Sequence, residues 1–542
     1  MLIAWFIISI MTLWLMYNSL GGTPFVCLTD GLWLLLVFVL LPKRWRSWWL
    51  VVLGLYTISL VANSCFCRVL QDFIPLQLFF VSSSYEGEVL ESGVSLLQAI
   101  DLLYPIGFLT ISILWLFVFK KKTPSYNIRA KVWYFIVCVV FSFGAYCFQI
   151  YRHILHNGGT YSHCFIRHFK PGFVFTDDMA HHGYLLTYGF YCIYNSLPEA
   201  DLTDQEIDAY KSIRSEGELP LELKSIFEHN RDKHLILVVV ESLTSQSLNK
   251  VVNGVEITPT LDSLLSDSTV ISFSRVKSNA MMGNSSDGHL MYLTGLVPSN
   301  RCAITTTPKY TKLPSFCYIL NNHTSKVFTG DSQFIWQANR YFSAAGVSQI
   351  HDLLFRMHHN SGDKCIFDAA FEDLKNATNP AIEIIITCTM HSPYNIDKVP
   401  PTAINDADEP DDIKAFDALT HYTDSCISQF IEQLKAEGLY DNSVIVIASD
   451  HRCWLFDDTD IPVFILNSGI KEKFTPDRYL IQLDVYPTIL DVMGMSDCDV
   501  WYGMGNSALR PGIEPMTDEE FERRSQLSER LIRTNYFWQH DN

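Results

Sequence analysis

Charge-poor apolar runs crowd the first 150 residues, near positions 1 to 20, 24 to 41, 47 to 66, 98 to 119 and 130 to 149. About 20 apolar residues cross about 30 Å of hydrocarbon, so the pattern predicts about five transmembrane helices, with four or six as the neighbouring counts. The second run is interrupted by Asp30, and the apolar stretch at 73–81 is too short to span. Met1 to Leu20 has neither a basic start nor a small-residue cleavage site and reads as a first anchor rather than a signal peptide. Basic residues follow the second run (Lys43, Arg44, Arg46) and separate the fourth from the fifth (Lys120, Lys121, Lys122, Arg129, Lys131). Such loops face the cytoplasm, which with five spans carries everything after the fifth outside. Asp30 and Asp101 lie near run ends, where an interfacial place is expected rather than a transport path.

Beyond the fifth run the charges are distributed as in a globular chain, and the whole 542-residue sequence carries a net charge of -18 with no basic stripe. That balance excludes nucleic acid as a partner, because phosphate backbones are bound by neutralising them. Of the 14 cysteines, Cys27, Cys65, Cys67, Cys138 and Cys147 sit in or beside apolar runs as small core residues. Cys302 and Cys317 are close enough in sequence to pair in an oxidising compartment. Between Tyr151 and Asp201 the histidines His153, His156, His163, His168, His181 and His182 raise a metal site, but a connector on the membrane surface, with Gly183 to Tyr194 at the interface, is the better expectation.

From His234 onward, short Val- and Ile-rich runs alternate with helical patterns, the signature of an α/β domain whose largely parallel central sheet is sandwiched by helices. The runs His234 to Val240, Lys326 to Thr329, Ala381 to Thr387 and Ser443 to Ser449 read as buried strands. Ala415 to Glu437 reads as an amphipathic helix stopped by Gly438, and the tail after Met516 as a packing or surface helix. The expected divisions are a transmembrane domain at 1–150, a connector at 151–230, a catalytic domain at 231–515 and a helical tail at 516–542.

Ligands of such sheets gather beyond the carboxyl ends of strands, which singles out Glu241 and the pair Asp450-His451. Carboxylate and imidazole are donors for a divalent cation, although Asp-His after a strand also occurs in ordinary turns. A third element, Gly283-Asn284-Ser285-Ser286-Asp287-Gly288, precedes a helix-like stretch. Its serine is either a plain N-cap or a nucleophile, the helix amides holding a phosphate against the hydroxyl.

In joint order these elements resemble the lipoteichoic acid synthase branch of the alkaline phosphatase and sulfatase superfamily. The resemblance rests on Val239-Val240-Glu241-Ser242, Thr258-Pro259-Thr260-Leu261-Asp262, Gly283-Asn284-Ser285-Ser286-Asp287, Thr294-Gly295-Leu296, Ser449-Asp450-His451 and Asp484-Val485-Tyr486-Pro487-Thr488-Ile489-Leu490. It implies a multi-pass protein of the bacterial cytoplasmic membrane with an extracytoplasmic catalytic domain. Carried over, Glu241, Asp450 and His451 hold one divalent ion, manganese first with magnesium or zinc as alternatives, and Ser285 is both metal ligand and nucleophile, where the family usually has threonine. Ser286 is the neighbouring register. Trp336, Arg340 and His391 take the places of substrate-binding residues, with the Trp-to-Arg spacing stretched. Arg452 replaces the small residue often found after Asp-His, and Thr329-Gly330-Asp331 lacks a histidine expected there.

The implied function is transfer of a phosphoglycerol-type headgroup from a membrane phospholipid to a lipid or glycan acceptor of the cell envelope. Phosphoethanolamine transfer and phosphodiester hydrolysis are the rivals within the superfamily, and a catalytically silent membrane sensor or scaffold is the rival outside it. A sulfatase is disfavoured, since no Cys-x-Pro-x-Arg context surrounds Ser285.

Overall fold

The computed structural model describes the chain except for residues 21–23, 71–72, 75–96, 121–123, 158–159, 163, 166–174, 197–199, 214–216, 282, 300–302, 308–309, 331–337, 354–361, 393, 499 and 540–542. It divides into two compact units, Met1–Pro198 and Glu199–Asn542.

All five apolar runs of the first unit are helical: Leu2–Leu20, Leu28–Leu40, Trp49–Leu70, Leu103–Ile113 continued to Phe119, and Ile128–Asn157. Among the described residues three stretches are long and apolar enough to cross a membrane, Lys43–Cys65, Ala99–Phe119 and Ile128–Leu155, whereas Leu2–Asn18 and Phe25–Leu40 are shorter apolar helices. The second is short because extended backbone at Leu41 and Pro42 ends it. Asp30 is buried, and its carboxylate accepts the backbone N–H groups of Tyr184 (3.2 Å) and Leu185 (2.8 Å), the orphan donors that open the helix Tyr184–Ser196. Asp101 likewise accepts from the Gln98 N–H (2.9 Å) and the Ser64 hydroxyl (2.8 Å). Both acids clip helices together within the first unit. His163 and His168 lie outside the described residues; the ring centroids of His153 and His181 are 5.5 Å apart, and His182 stacks on Tyr146 at 5.2 Å.

The second unit is built on an eight-stranded sheet. Its strands are β1 (His234–Val240), β4 (Ile271–Lys277), β5 (Thr324–Thr329), β6 (Gln349–Asp352), β7 (Ala381–Ile386), β8 (Ser443–Ser449), β9 (Asp460–Leu466) and β10 (Leu480–Ile481), in the order β10-β4-β9-β8-β1-β7-β5-β6. Val251–Val252 (β2) and Val255–Glu256 (β3) form a separate two-stranded hairpin. Strands β8, β1, β7, β5 and β6 run parallel, as does β10 on β4, but β9 is antiparallel to both β8 and β4, so the sheet is mixed.

Alternation along β1 explains the layering. Leu235, Leu237 and Val239 enter one core with the helices Ser285–Thr294 and Val485–Val492, while Ile236, Val238 and Val240 enter the other with Gly362–Lys375 and Asp411–Ala436. The tail forms the helix Asp518–Arg533, which sinks Leu527, Leu531 and Ile532 into the first core and is therefore part of the fold. Cys317 is a buried free thiol, and Cys302 lies outside the described residues.

Candidate metal centre and active site

Register places the first two ligands. Parallel pairing sets Val240 of β1 against Ser449 of β8, so the residues that follow, Glu241 and Asp450, leave the sheet side by side at its carboxyl edge. The Asp450 N–H donates to the Val240 carbonyl at 3.1 Å, extending the ladder by one bond. Ser242 then adopts a left-handed backbone (φ 54°), which turns its N–H onto Asp450 Oδ1 at 2.8 Å and its hydroxyl onto Glu241 Oε1 at 2.7 Å. Strained backbone in a non-glycine residue persists where its surroundings over-determine it, and here it fixes both carboxylates.

His451 is oriented by its other nitrogen. Nδ1 lies 2.8 Å from the Arg452 carbonyl and donates to it, which leaves the Nε2 lone pair facing Glu241 Oε1 (3.5 Å) and Asp450 Oδ2 (3.6 Å). One ligand atom from each of Glu241, Asp450 and His451 lies within 4.8 Å of the others, and all three residues are buried. Burial and then the neighbouring Asp450 charge push the Glu241 carboxyl up to about 7, a rise that His451 and His391 oppose. Burial resists charging His451, but Asp450 and Glu241 outweigh it and hold its pKa above the ordinary value. Two buried acids beside a correctly turned imidazole are short of positive charge, and oxygen and nitrogen donors of this kind fit a divalent cation.

Ser285 is the first residue of its helix, after Asn284 at φ 46°, and its hydroxyl donates to Glu241 Oε2 at 3.4 Å. Ser286 points elsewhere, donating to the Gly283 carbonyl at 2.9 Å, so Ser285 is the serine on the triad. The approach of this helix depends on Gly288: a Cβ there would lie 2.2 Å from the Asp450 carbonyl oxygen. Tyr292, one turn further on, donates to the Ser449 carbonyl at 2.5 Å, and Gln482 Nε2 donates to that of Asp450 at 2.7 Å. Asp287 gathers the Met281 (2.8 Å) and Gly283 (2.9 Å) amides and shapes the loop before the serine. Burial raises its carboxyl to about 7 and lowers His289 to about 4, leaving that imidazole neutral, 2.8 Å from the Tyr341 hydroxyl.

The loop after β7 carries His391. Buried Asp363 accepts the Cys388 (2.8 Å) and Thr389 (2.9 Å) amides and the Thr423 hydroxyl (2.7 Å), and Thr387 Oγ1 accepts the Glu241 amide (2.9 Å). His391 itself is exposed, with Nδ1 2.6 Å from the Ser392 carbonyl. Arg340 donates to the carbonyls of Thr307 (3.0 Å) and Tyr310 (3.4 Å) and lies over the Tyr310 ring. Trp336 lies outside the described residues.

Sequence reasoning missed Ser242, Gly288, Tyr292, Asp363 and Gln482, which act through backbone contacts far apart in the chain. Only the Gly in Gly283-Asn284-Ser285-Ser286-Asp287-Gly288 carried a readable signal, a small residue one turn from the serine. The other quoted motifs are clips. Thr258 donates to the Ser247 carbonyl (2.9 Å), and Asp484 holds the Arg478 guanidinium (2.6 Å) and the Asn506 amide (2.8 Å).

This sheet, with two acids and an imidazole converging on a helix-opening serine, defines an enzyme unit of the sulfatase and alkaline phosphatase type, whose members are metal-dependent. Residues 233–495 match the sulfatase family model, and residues 2–162 match that of the lipoteichoic acid synthase N-terminal domain. Between them the two matches take in most of the chain, which resembles the lipoteichoic acid synthase-like phosphotransferases of that superfamily.

Among its relatives is lipoteichoic acid synthase 2 of Bacillus subtilis (strain 168), 24% identical over 515 residues, which cover 87% of this chain and 76% of the relative. The lipoteichoic acid synthase of Staphylococcus saprophyticus is 23% identical over 516 residues, 88% and 77% of the two chains. The solved structure of lipoteichoic acid synthase LtaP from Listeria monocytogenes shares the fold with a TM-score of 0.51 and 18% identity over 63% of this chain and 99% of that one. The integral membrane lipooligosaccharide phosphoethanolamine transferase A of Neisseria meningitidis does so with a TM-score of 0.50 and 14% identity, covering 86% and 87%.

Proposed function

We propose that this enzyme transfers a phosphoglycerol-type headgroup from a membrane phospholipid to a lipid or glycan acceptor of the cell envelope, by two displacements through Ser285. The observation that carries the reading is the Ser285 hydroxyl donating to Glu241 Oε2 at 3.4 Å, at the edge of the Glu241, Asp450 and His451 cluster. Glu241, Asp450, His451 and the Ser285 hydroxyl would hold the divalent ion, manganese first, which when bound lowers the pKa of a coordinated hydroxyl and neutralises phosphoryl oxygens.

In the first displacement Ser285 Oγ releases its proton to solvent and forms a bond to phosphorus as the bond from phosphorus to the lipid oxygen breaks, giving a phosphoserine diester and, once that oxygen is protonated, a diacylglycerol. His391, exposed and held through Nδ1 by the Ser392 carbonyl, delivers the proton that the lipid oxygen takes up. An acceptor hydroxyl repeats the displacement on the other side and restores Ser285. Trp336 and Arg340 belong to the substrate side of this reading. The apolar first unit fits a multi-pass protein of the bacterial cytoplasmic membrane whose second unit works outside.

The relatives named as lipoteichoic acid synthases support an acceptor in the cell envelope, while the transferase from Neisseria makes phosphoethanolamine the rival headgroup. Intact mass spectrometry of the full chain in detergent, with manganese and short-chain phosphatidylglycerol or phosphatidylethanolamine, tests the reading. A phosphoglycerol adduct absent from Ser285→Ala is expected. A phosphoethanolamine adduct would transfer the reading to the rival, and no adduct in a metal-loaded, inactive protein would favour a silent scaffold.

A further inference from the structure

We infer that Arg452, lying over the Trp454 ring, recognises a phosphate anion of the substrate beside the metal centre. The inference rests on the site reading given above and adds a residue to it. Arg452 directly follows His451, and its backbone carbonyl fixes the His451 ring, so its Cα is tied to the triad. Its guanidinium carbon lies 4.2 Å from the centroid of the Trp454 ring, and Trp454 is 58% exposed.

Three acids lie within a few residues or across the adjoining strand, Glu241, Asp450 and Asp457, yet among the described residues Arg452 forms no ion pair and its side chain donates no hydrogen bond. Its neighbours in function are differently engaged: Arg340 donates to two carbonyls of the 307–310 segment. A guanidinium lying over an indole is steadied by the ring, and its planar fork of donors suits a phosphate oxygen pair. In a chain of net charge -18 an anionic substrate needs such a local cation near the buried carboxylates.

The anion is the phosphodiester of the donor lipid or a phosphate borne by the acceptor, and kinetics separate the two. The full chain in lipid nanodiscs with manganese is assayed for hydrolysis of phosphatidylglycerol and for transfer to a glycerophosphate-bearing glycolipid, comparing wild type with Arg452→Gln, Arg452→Lys and Trp454→Ala. Arg452→Gln should raise KM by about tenfold to a hundredfold, the worth of a charge-assisted hydrogen bond, with kcat changed little, manganese affinity unchanged and partial recovery in Arg452→Lys. A rise already present in hydrolysis assigns the donor, and one confined to transfer assigns the acceptor. Unchanged KM for both, or a loss that follows manganese affinity, would overturn the inference. Calorimetric titration of the metal-loaded protein with inorganic phosphate keeps the two readings apart. Phosphate binding weakened in Arg452→Gln supports Arg452 even if neither lipid is turned over, and equal binding in the two proteins counts against it.

Discussion

Gly288 sits so close to Asp450 that a Cβ on it would come within 2.2 Å of the Asp450 carbonyl oxygen. The helix that Ser285 opens and the strand end that carries Asp450 therefore touch backbone to backbone, and Ser285, one turn earlier on the helix, inherits its position from that contact. Gly288→Ala must push the two apart. Overpacking of this kind costs about 1 to 3 kcal/mol, and the displaced serine should lose most of its activity. A thermal melt and a turnover assay check both effects; an active Gly288→Ala enzyme would show that the helix can slide without consequence.

Metal dependence and the nucleophile separate by mutation. Ser285→Ala should retain manganese, measured by calorimetry, while activity falls at least about a thousandfold. Asp450→Asn should lose the metal. Because burial and the Asp450 charge hold the Glu241 carboxyl up at about 7, the metal-free wild type carries a repulsion that Asp450→Asn relieves. Metal-free Asp450→Asn should thus melt no lower than metal-free wild type, and added manganese should raise only the wild-type melting temperature. Chelation should abolish wild-type activity reversibly.

How much of this was legible in the sequence depended on how local its cause was. Strands β1 and β8 announce themselves as Val-, Ile- and Leu-rich runs, and β7 as an Ile run broken by Glu383, because both faces are buried, and Glu241 and Asp450 stand out because each ends such a run. Strand β9, Asp460–Leu466, carries Pro462 inside it, and β4, with polar Ser272, Ser274 and Arg275 interleaved, does not read as a buried strand. Their antiparallel pairing, which makes the sheet mixed, has no local signature. The contacts that aim the site, Gly288 on Asp450 and Asp363 on the Cys388 and Thr389 amides, join segments that only tertiary folding brings together.

Leu531 tests whether the tail is part of the domain. It is fully buried in the core shared with the helix that Ser285 opens. Leu531→Ala should cost about 2 to 5 kcal/mol, read from denaturant unfolding, whereas a tail lying loosely on the surface would lose almost nothing.

Stability should also fall with rising pH because of Glu383. This residue of β7 is fully buried, neither of its oxygens makes a hydrogen bond of ordinary geometry, and its register partner across the strand pair, Lys326, is taken up by both oxygens of Asp373 (2.7 and 2.6 Å). Burial first, and the neighbouring Asp373 next, push its carboxyl up to about 9, from 4.5 in the unfolded chain. The folded state holds the proton that the unfolded state releases. The penalty is absent below about pH 4.5, grows as pH rises above that value, and levels off beyond about 9. Glu383→Gln removes the titration while keeping the shape. The variant should melt above wild type at pH 8, and the gap should close by pH 5. A gap that is the same at both values would mean that Glu383 is already ionised in the fold, its charge carried by Lys326.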